Sequence, residues 1–287
     1  MSEEPHPRAS ELDSLSTREL LEVMNDEDAR AAGAARAQLG DVARAVDLIA
    51  ERIRGGGRLH YFGAGTSGRL AALDAVECAP TFGIDPRLVT AHCAGDGEAE
   101  DDRELGVEAA RLADLKDADA IVAVSASGST PYVLGVADQA RRTKALLVAL
   151  TCAPGSPIGR AADVAIEADA GPEVIAGSTR LKAGTVQKIV LNMISTGVFT
   201  RLGYTYRGRM VGVSGANAKQ RARAIRLLSD LTGVSPAEAE AALSHSRWNA
   251  RVAILMLRRG DSAADAEARL SGADGDLAAA LGERGSS

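Results

Sequence analysis

The sequence predicts an α/β protein: an open parallel sheet flanked by helices, followed by a small all-helical bundle. Three observations carry this. Short, near-continuously apolar runs alternate with helical patterns between residues 59 and 166, as parallel strands buried on both faces do. Turns rich in glycine and hydroxyl side chains stand where apolar runs give way to helices. Past Gly203 the strands stop and short amphipathic helical segments follow.

At 287 residues the chain is long enough for both parts. The expected division is a helical arm over 1–54, a sheet domain over 55–215 that carries the glycine- and hydroxyl-rich turns, and a helical bundle over 216–287. A net charge of −6 and 3% aromatic residues argue against nucleic acid or an anionic membrane as partner. Cys78, Cys93 and Cys152 are scattered, which reads as free thiols packed inside a protein of the reducing cytoplasm. Four histidines and no Cys-x-x-Cys pair give no ligand set for a metal. The chain has neither an apolar leader nor an 18-residue apolar run, so a soluble cytoplasmic protein without membrane contact is expected.

Residues 1–13 are polar and carry two prolines, and read as a loose arm. Ser16-Thr17-Arg18-Glu19 has capping-box spacing, and Leu20, Leu21 and Met24 follow at helical intervals. A second helix is expected over Ala32–Arg54, with Val42, Val46 and Ile49 on one face and Gly55-Gly56-Gly57 ending it. Leu59–Phe62 reads as a buried strand, Gly63–Gly68 as a turn and Arg69–Val76 as a helix. That order aims backbone N–H groups and a helix N-terminus at an anion. No acidic residue stands where a dinucleotide ribose needs one, and the hydroxyls of Thr66 and Ser67 suit the phosphate of a small sugar.

Further strands are expected at Arg87–His92, Asp119–Val124, Ala145–Leu150 and Val164–Ile166, with helices at Arg103–Leu115 and Pro131–Arg142. His60, within the first strand, reads as a packed core residue. Ser125–Pro131 is a second hydroxyl-rich turn, and Gly171–Thr185 a third, before a long helix ending near Leu202. Such residues also serve as ordinary N-caps. Ligands of parallel sheets, however, bind at the carboxyl ends of strands, where the first two turns lie. The binding residues expected are therefore Gly65, Thr66, Ser67, Ser125, Ser127, Ser129 and Thr130, with Glu173, Ser178, Thr179 and Lys182 from the third segment. Tyr204–Gly215 reads as a crossing loop. Helices follow at Ala216–Leu231, Pro236–Leu243 and Arg247–Arg258, with one or two more inside Asp261–Leu281 and Trp248 in the bundle core.

Gly63–Arg69, Asp74–Gly83, Ser125–Tyr132 and Gly171–Thr185 together resemble the N-acetylmuramic acid 6-phosphate etherase family, and Leu15–Leu20 and Met24–Asp28 fit it too. The likeness runs over nearly the whole chain. It implies a sugar isomerase (SIS) domain with a helical bundle, a homodimer with sites completed across the subunit interface, and no metal or cofactor. The activity implied is cleavage of the lactyl ether of N-acetylmuramate 6-phosphate to N-acetylglucosamine 6-phosphate and D-lactate. Elimination and rehydration ask for a base at C2 and an acid at the ether oxygen, and two carboxyls in different environments supply both. Matched to the family's D-A-x-E-C segment, Glu77 is the proton donor. Matched to its E-D-x-x-E segment, Glu100 is the base, with Glu98 the alternative because Ala94–Ala99 is shorter than the family's stretch. Arg207–Gly212 also departs from the family's Gly-Asn-Leu-Met-Val-Asp. Two rival readings share the turns. A non-catalytic sugar-phosphate sensor is favoured by the shortened stretch and opposed by the intact Glu77 motif. An aldose–ketose isomerase is not supported by Gly171–Thr185.

Overall fold

The N-terminal segment is tied down. The structure, a computed structural model, describes residues 4–95, 97–213 and 217–283. His6 and Leu12 are buried, and Leu12 packs with Val23 and Val174, so the arm over the described part of 1–13 is not loose. Helix α1 (Thr17–Asp28) starts with the expected capping box: Ser16 Oγ accepts from the Glu19 N–H, and Glu19 returns a carboxylate to the Ser16 N–H at 2.8 Å. The single helix expected over Ala32–Arg54 is two, α2 (Ala31–Ala37) and α3 (Leu39–Arg54). They break at Gln38, whose side-chain carbonyl accepts the Glu167 N–H at 3.2 Å.

The chain then alternates β1 (Leu59–Ala64), α4 (Gly65–Phe82), β2 (Val89–Ala94), α5 (Arg103–Leu112), β3 (Ala120–Val124), α6 (Pro131–Thr143), β4 (Leu146–Thr151), α7 (Pro157–Ala161) and β5 (Val164–Glu167). The five strands are parallel in the order β2-β1-β3-β4-β5. All five residues of β3 are buried, which explains its unbroken apolar run. Phe62, Ile121, Ala123 and Leu147 face Tyr132, Val133 and Val136 of α6 on one side. On the other side Tyr61 donates to Asp74 of α4 at 2.9 Å. Helix α4 runs past the expected stop at Val76 and through Pro80. Burial of Phe82, stacked on Phe199 at 4.7 Å, offsets the backbone bond that proline removes, and Gly83 with φ +66° ends the helix.

Helix α8 (Lys182–Arg201) follows a long connecting segment. Contacts divide the chain into two units, Met1–Val76 with Arg87–Gly197 and Glu77–Pro86 with Val198–Ser287. In the second, β6 (Thr205–Tyr206) and β7 (Arg209–Met210) form a hairpin where a loop was expected. Arg207 and Gly208 both have positive φ, as a two-residue turn between antiparallel strands requires. Ser214 to Ala216, the end of that expected loop and the start of the next helix, lie outside the described residues. Helices α9 (Ala218–Thr232), α10 (Pro236–His245), α11 (Ala250–Arg259), α12 (Ala263–Gly272) and α13 (Leu277–Leu281) enclose Leu228, Leu243, Leu255 and Leu277. Trp248 is half-buried at the edge of this core, with the Arg221 guanidinium 4.9 Å over its ring, and not at its centre.

Candidate active site

The strand order reverses between β1 and β3, whose ends are in register at Gly63 and Val124. The turns that follow these strands therefore emerge side by side, at the place where open α/β sheets bind ligands. A cavity of about 490 Å³ opens there. The start of α4 contributes Gly65, Thr66, Ser67 and Arg69, and the turn before α6 contributes Ser127, Ser129, Thr130 and Pro131. Glu100 and Asp101 come from the turn before α5, and Gly177 and Thr179 from the segment before α8.

The glycines have separate reasons. A Cβ on Gly68 would stand 2.3 Å from Cys93 Sγ and 2.7 Å from the Gly63 carbonyl, so only hydrogen lets α4 start this close to β1. Gly65 takes φ +52°, a backbone conformation that favours glycine, and Glu100 Oε2 lies 3.4 Å from where a Cβ there would stand. The base expected from sequence is thus set against the backbone of the α4 N-terminus. Glu98 is exposed and is not among the lining residues.

Ser67 Oγ donates to Gln187 Oε1 at 3.0 Å, which fixes the side chain at the cavity wall. Gln187 is buried on α8; nothing near it in sequence marks it, because its partner is on another helix. Ser125 is buried behind the lining: its Oγ accepts the Gly128 N–H at 3.0 Å and bonds Thr130 Oγ1 at 2.8 Å. Thr130 spends its hydroxyl on Ser125 and does not cap α6, and Pro131 supplies the first helical residue. Ser127 Oγ accepts from the Ser129 N–H at 3.2 Å and from Ser129 Oγ at 3.1 Å. Two helix N-termini and five hydroxyl side chains (Thr66, Ser67, Ser127, Ser129, Thr130) thus face one space, an arrangement that suits a phosphate.

The remaining expected residues lie elsewhere. Glu173 and Lys182 are buried and bonded to other parts of the protein, and Ser178 gives its N–H to the Ile175 carbonyl at 3.0 Å. None of the three lines the cavity. Glu77 is exposed on α4, about three turns beyond Gly65, and is also absent from the lining. Arg69 and Asp101 were missed. Arg69 follows Thr66 by one helical turn, a spacing that puts both on one side of α4.

A family model described as SIS domain matches residues 28–152. The N-acetylmuramic acid 6-phosphate etherase of Rubrobacter xylanophilus (strain DSM 9941) is 47% identical over 291 residues, 99% of this chain and 96% of the relative. The chain belongs to the N-acetylmuramic acid 6-phosphate etherase family. The etherase of Salmonella agona is 44% identical across 98% of this chain and 97% of its own length. A phosphoheptose isomerase from Francisella tularensis superimposes with a TM-score of 0.53 at 14% identity, covering 65% of this chain and 100% of that one, which shows the shared fold. Among the described residues, no group of three or more His, Cys, Asp or Glu side chains is placed to hold a metal ion. No described helix is long and apolar enough to cross a membrane. Burial, with Glu173 and Asp169 nearby, pushes the Cys152 thiol up to about 12, whereas Cys93 is exposed although its Sγ stands against Gly68.

Proposed function

We propose that this chain cleaves the lactyl ether of N-acetylmuramate 6-phosphate, with water, to N-acetylglucosamine 6-phosphate and D-lactate. The observation that carries the reading is full-length kinship with etherases combined with a hydroxyl-lined cavity that holds Glu100. The phosphate sits among Thr66, Ser67, Ser127, Ser129 and Thr130, where two helix N-termini favour its charge. Glu100 takes the proton from C2 of the open-chain aldehyde. The C3–oxygen bond then breaks, and Glu77 protonates the departing lactate oxygen. Water adds at C3 of the unsaturated aldehyde while C2 regains a proton, so the sugar gains a hydroxyl and lactate keeps the ether oxygen. This chemistry asks for two carboxyls and no cofactor.

What supports Glu77 is its place in the Asp74–Cys78 motif and its exposure on α4. Glu77 stands about three turns from the cavity end of its own helix, so we assign the donor at each site to a second copy of the chain in a cytoplasmic homodimer. Leu73 and Val76, 44% and 67% exposed beside Glu77, give that copy an apolar surface to cover.

The test is D-lactate release from N-acetylmuramate 6-phosphate by the purified protein beside Glu77→Gln and Glu100→Gln. Release by the wild type, with losses of roughly 10²–10⁴-fold in each variant, is expected. A folded wild type that binds the sugar phosphate and releases no lactate would replace the etherase with a sensor. Full activity in Glu100→Gln would move the base to Glu98 or beyond.

A further inference from the structure

Residues 171–181 carry Gly177 and Thr179 into the cavity wall, and one side chain holds the two ends of that segment together. Lys182, the first residue of α8, is 1% exposed and donates from Nζ to the Pro172 carbonyl at 2.9 Å. The Glu173 carboxylate closes the same stem, accepting the backbone N–H groups of Lys182 at 3.1 Å and Ala183 at 2.8 Å. The charge partner of Lys182 comes from 155 residues earlier: Glu27, in the last turn of α1. That carboxylate also meets Arg30 at 3.0 Å and His6 Nε2 at 3.4 Å. Burial works against its charge, but Lys182, His6 and Arg30 together hold it below the usual carboxylate range. Val174 packs on Leu12 and Val23, so apolar contact joins the same two segments.

A buried ion pair is a weak argument for stability, because desolvation cancels much of the attraction; fixing one geometry is its better-attested use. Here the pair joins α1 to the stem of a segment whose far end is cavity wall. We infer that Lys182 and Glu27 form a positioning clasp that holds Gly177 and Thr179 against the substrate, making the segment from His6 to Asp28 part of the binding apparatus. Lys182 thereby serves the site without touching an anion in it. The inference rests on the cavity being the etherase site.

The experiment measures KM and kcat for lactate release in Glu27→Asp, Lys182→Met and the double variant Glu27→Gln/Lys182→Met. Glu27→Asp keeps the charge and withdraws it by one methylene, and the double variant leaves neither member of the pair charged. A smaller folded fraction lowers apparent kcat and leaves KM alone, whereas a displaced wall raises KM. Glu27→Asp is expected to raise KM about tenfold with kcat within about threefold. The double variant should be no worse than Lys182→Met, since both act through one contact. Trypsin cleavage after Arg180, which is exposed on the segment, should quicken in step with KM. Wild-type KM and wild-type cleavage in folded Glu27→Asp would overturn the clasp. Absence of lactate release by the wild type would instead remove the etherase reading, and cleavage after Arg180 would then judge the clasp alone.

Discussion

At Gly68 one methyl group decides whether β1 and α4 can meet. Its Cβ would fall 2.3 Å from Cys93 Sγ, and backbone at Gly63 stands just beyond, so something must move. Gly68→Ala is expected to cost about 1–3 kcal/mol in urea unfolding and to weaken substrate binding, because the α4 N-terminus shifts with it. Unchanged stability would show that the sulfur swings aside freely. Ser127 tests the hydroxyl lining: Ser127→Ala should raise KM roughly tenfold or more and change kcat little, as loss of a hydrogen bond to a charged group does. An unchanged KM would take Ser127 out of phosphate contact. Residues of this kind were legible because a turn between strand and helix is local, and its hydroxyls have few places to point. Lys182 and Glu173 were not. A charge in sequence says nothing about whether its partner is a ligand or the protein's own Glu27, 155 residues away.

At the scale of elements, strands β1 and β2 meet through an imidazole pair, His60 buried and His92 half-buried. His60 Nδ1 lies 3.2 Å from His92 Nε2 and 3.0 Å from Thr90 Oγ1, and His60 is 1% exposed. Burial first, then the Arg58 and His92 charges, lowers His60 from 6.5 to about 4, with Asp119 opposing; His92 is lowered for the same reasons of burial and Arg58. The unfolded chain therefore takes up a proton near pH 6.5 that the folded chain refuses until about pH 4. Between those values the His60 contribution makes stability fall with acid, by up to about 1.4 kcal/mol per pH unit, and above them it is flat. Urea midpoints at pH 5 and 7.5 should differ less in His60→Gln than in the wild type. Equal differences would place the acid sensitivity elsewhere. The strands were readable from their apolar runs, and His60 as a core residue with them. Element ends were harder: α4 passes through Pro80 because Phe82 finds Phe199, a contact no local pattern reveals. The break at Gln38 has the same cause, a partner at Glu167 far along the chain.

For the molecule as a whole, the proposed assignment of Glu77 to the site of a second copy makes complementation between variant chains its test. A mixture of Glu77→Gln and Glu100→Gln chains, unfolded and refolded together, would form mixed dimers with one intact site in two. Activity should return to about a quarter of wild type at equal mixing. Mixtures no more active than their parts would put both carboxyls of a site on one chain. The elimination itself is tested most directly by running the reaction in heavy-oxygen, heavy-hydrogen water and locating the label. The account predicts heavy oxygen at C3 and heavy hydrogen at C2 of N-acetylglucosamine 6-phosphate, unlabelled oxygen in D-lactate, and no C2 exchange in Glu100→Gln. Heavy oxygen in the lactate, or an unlabelled C2, would contradict it.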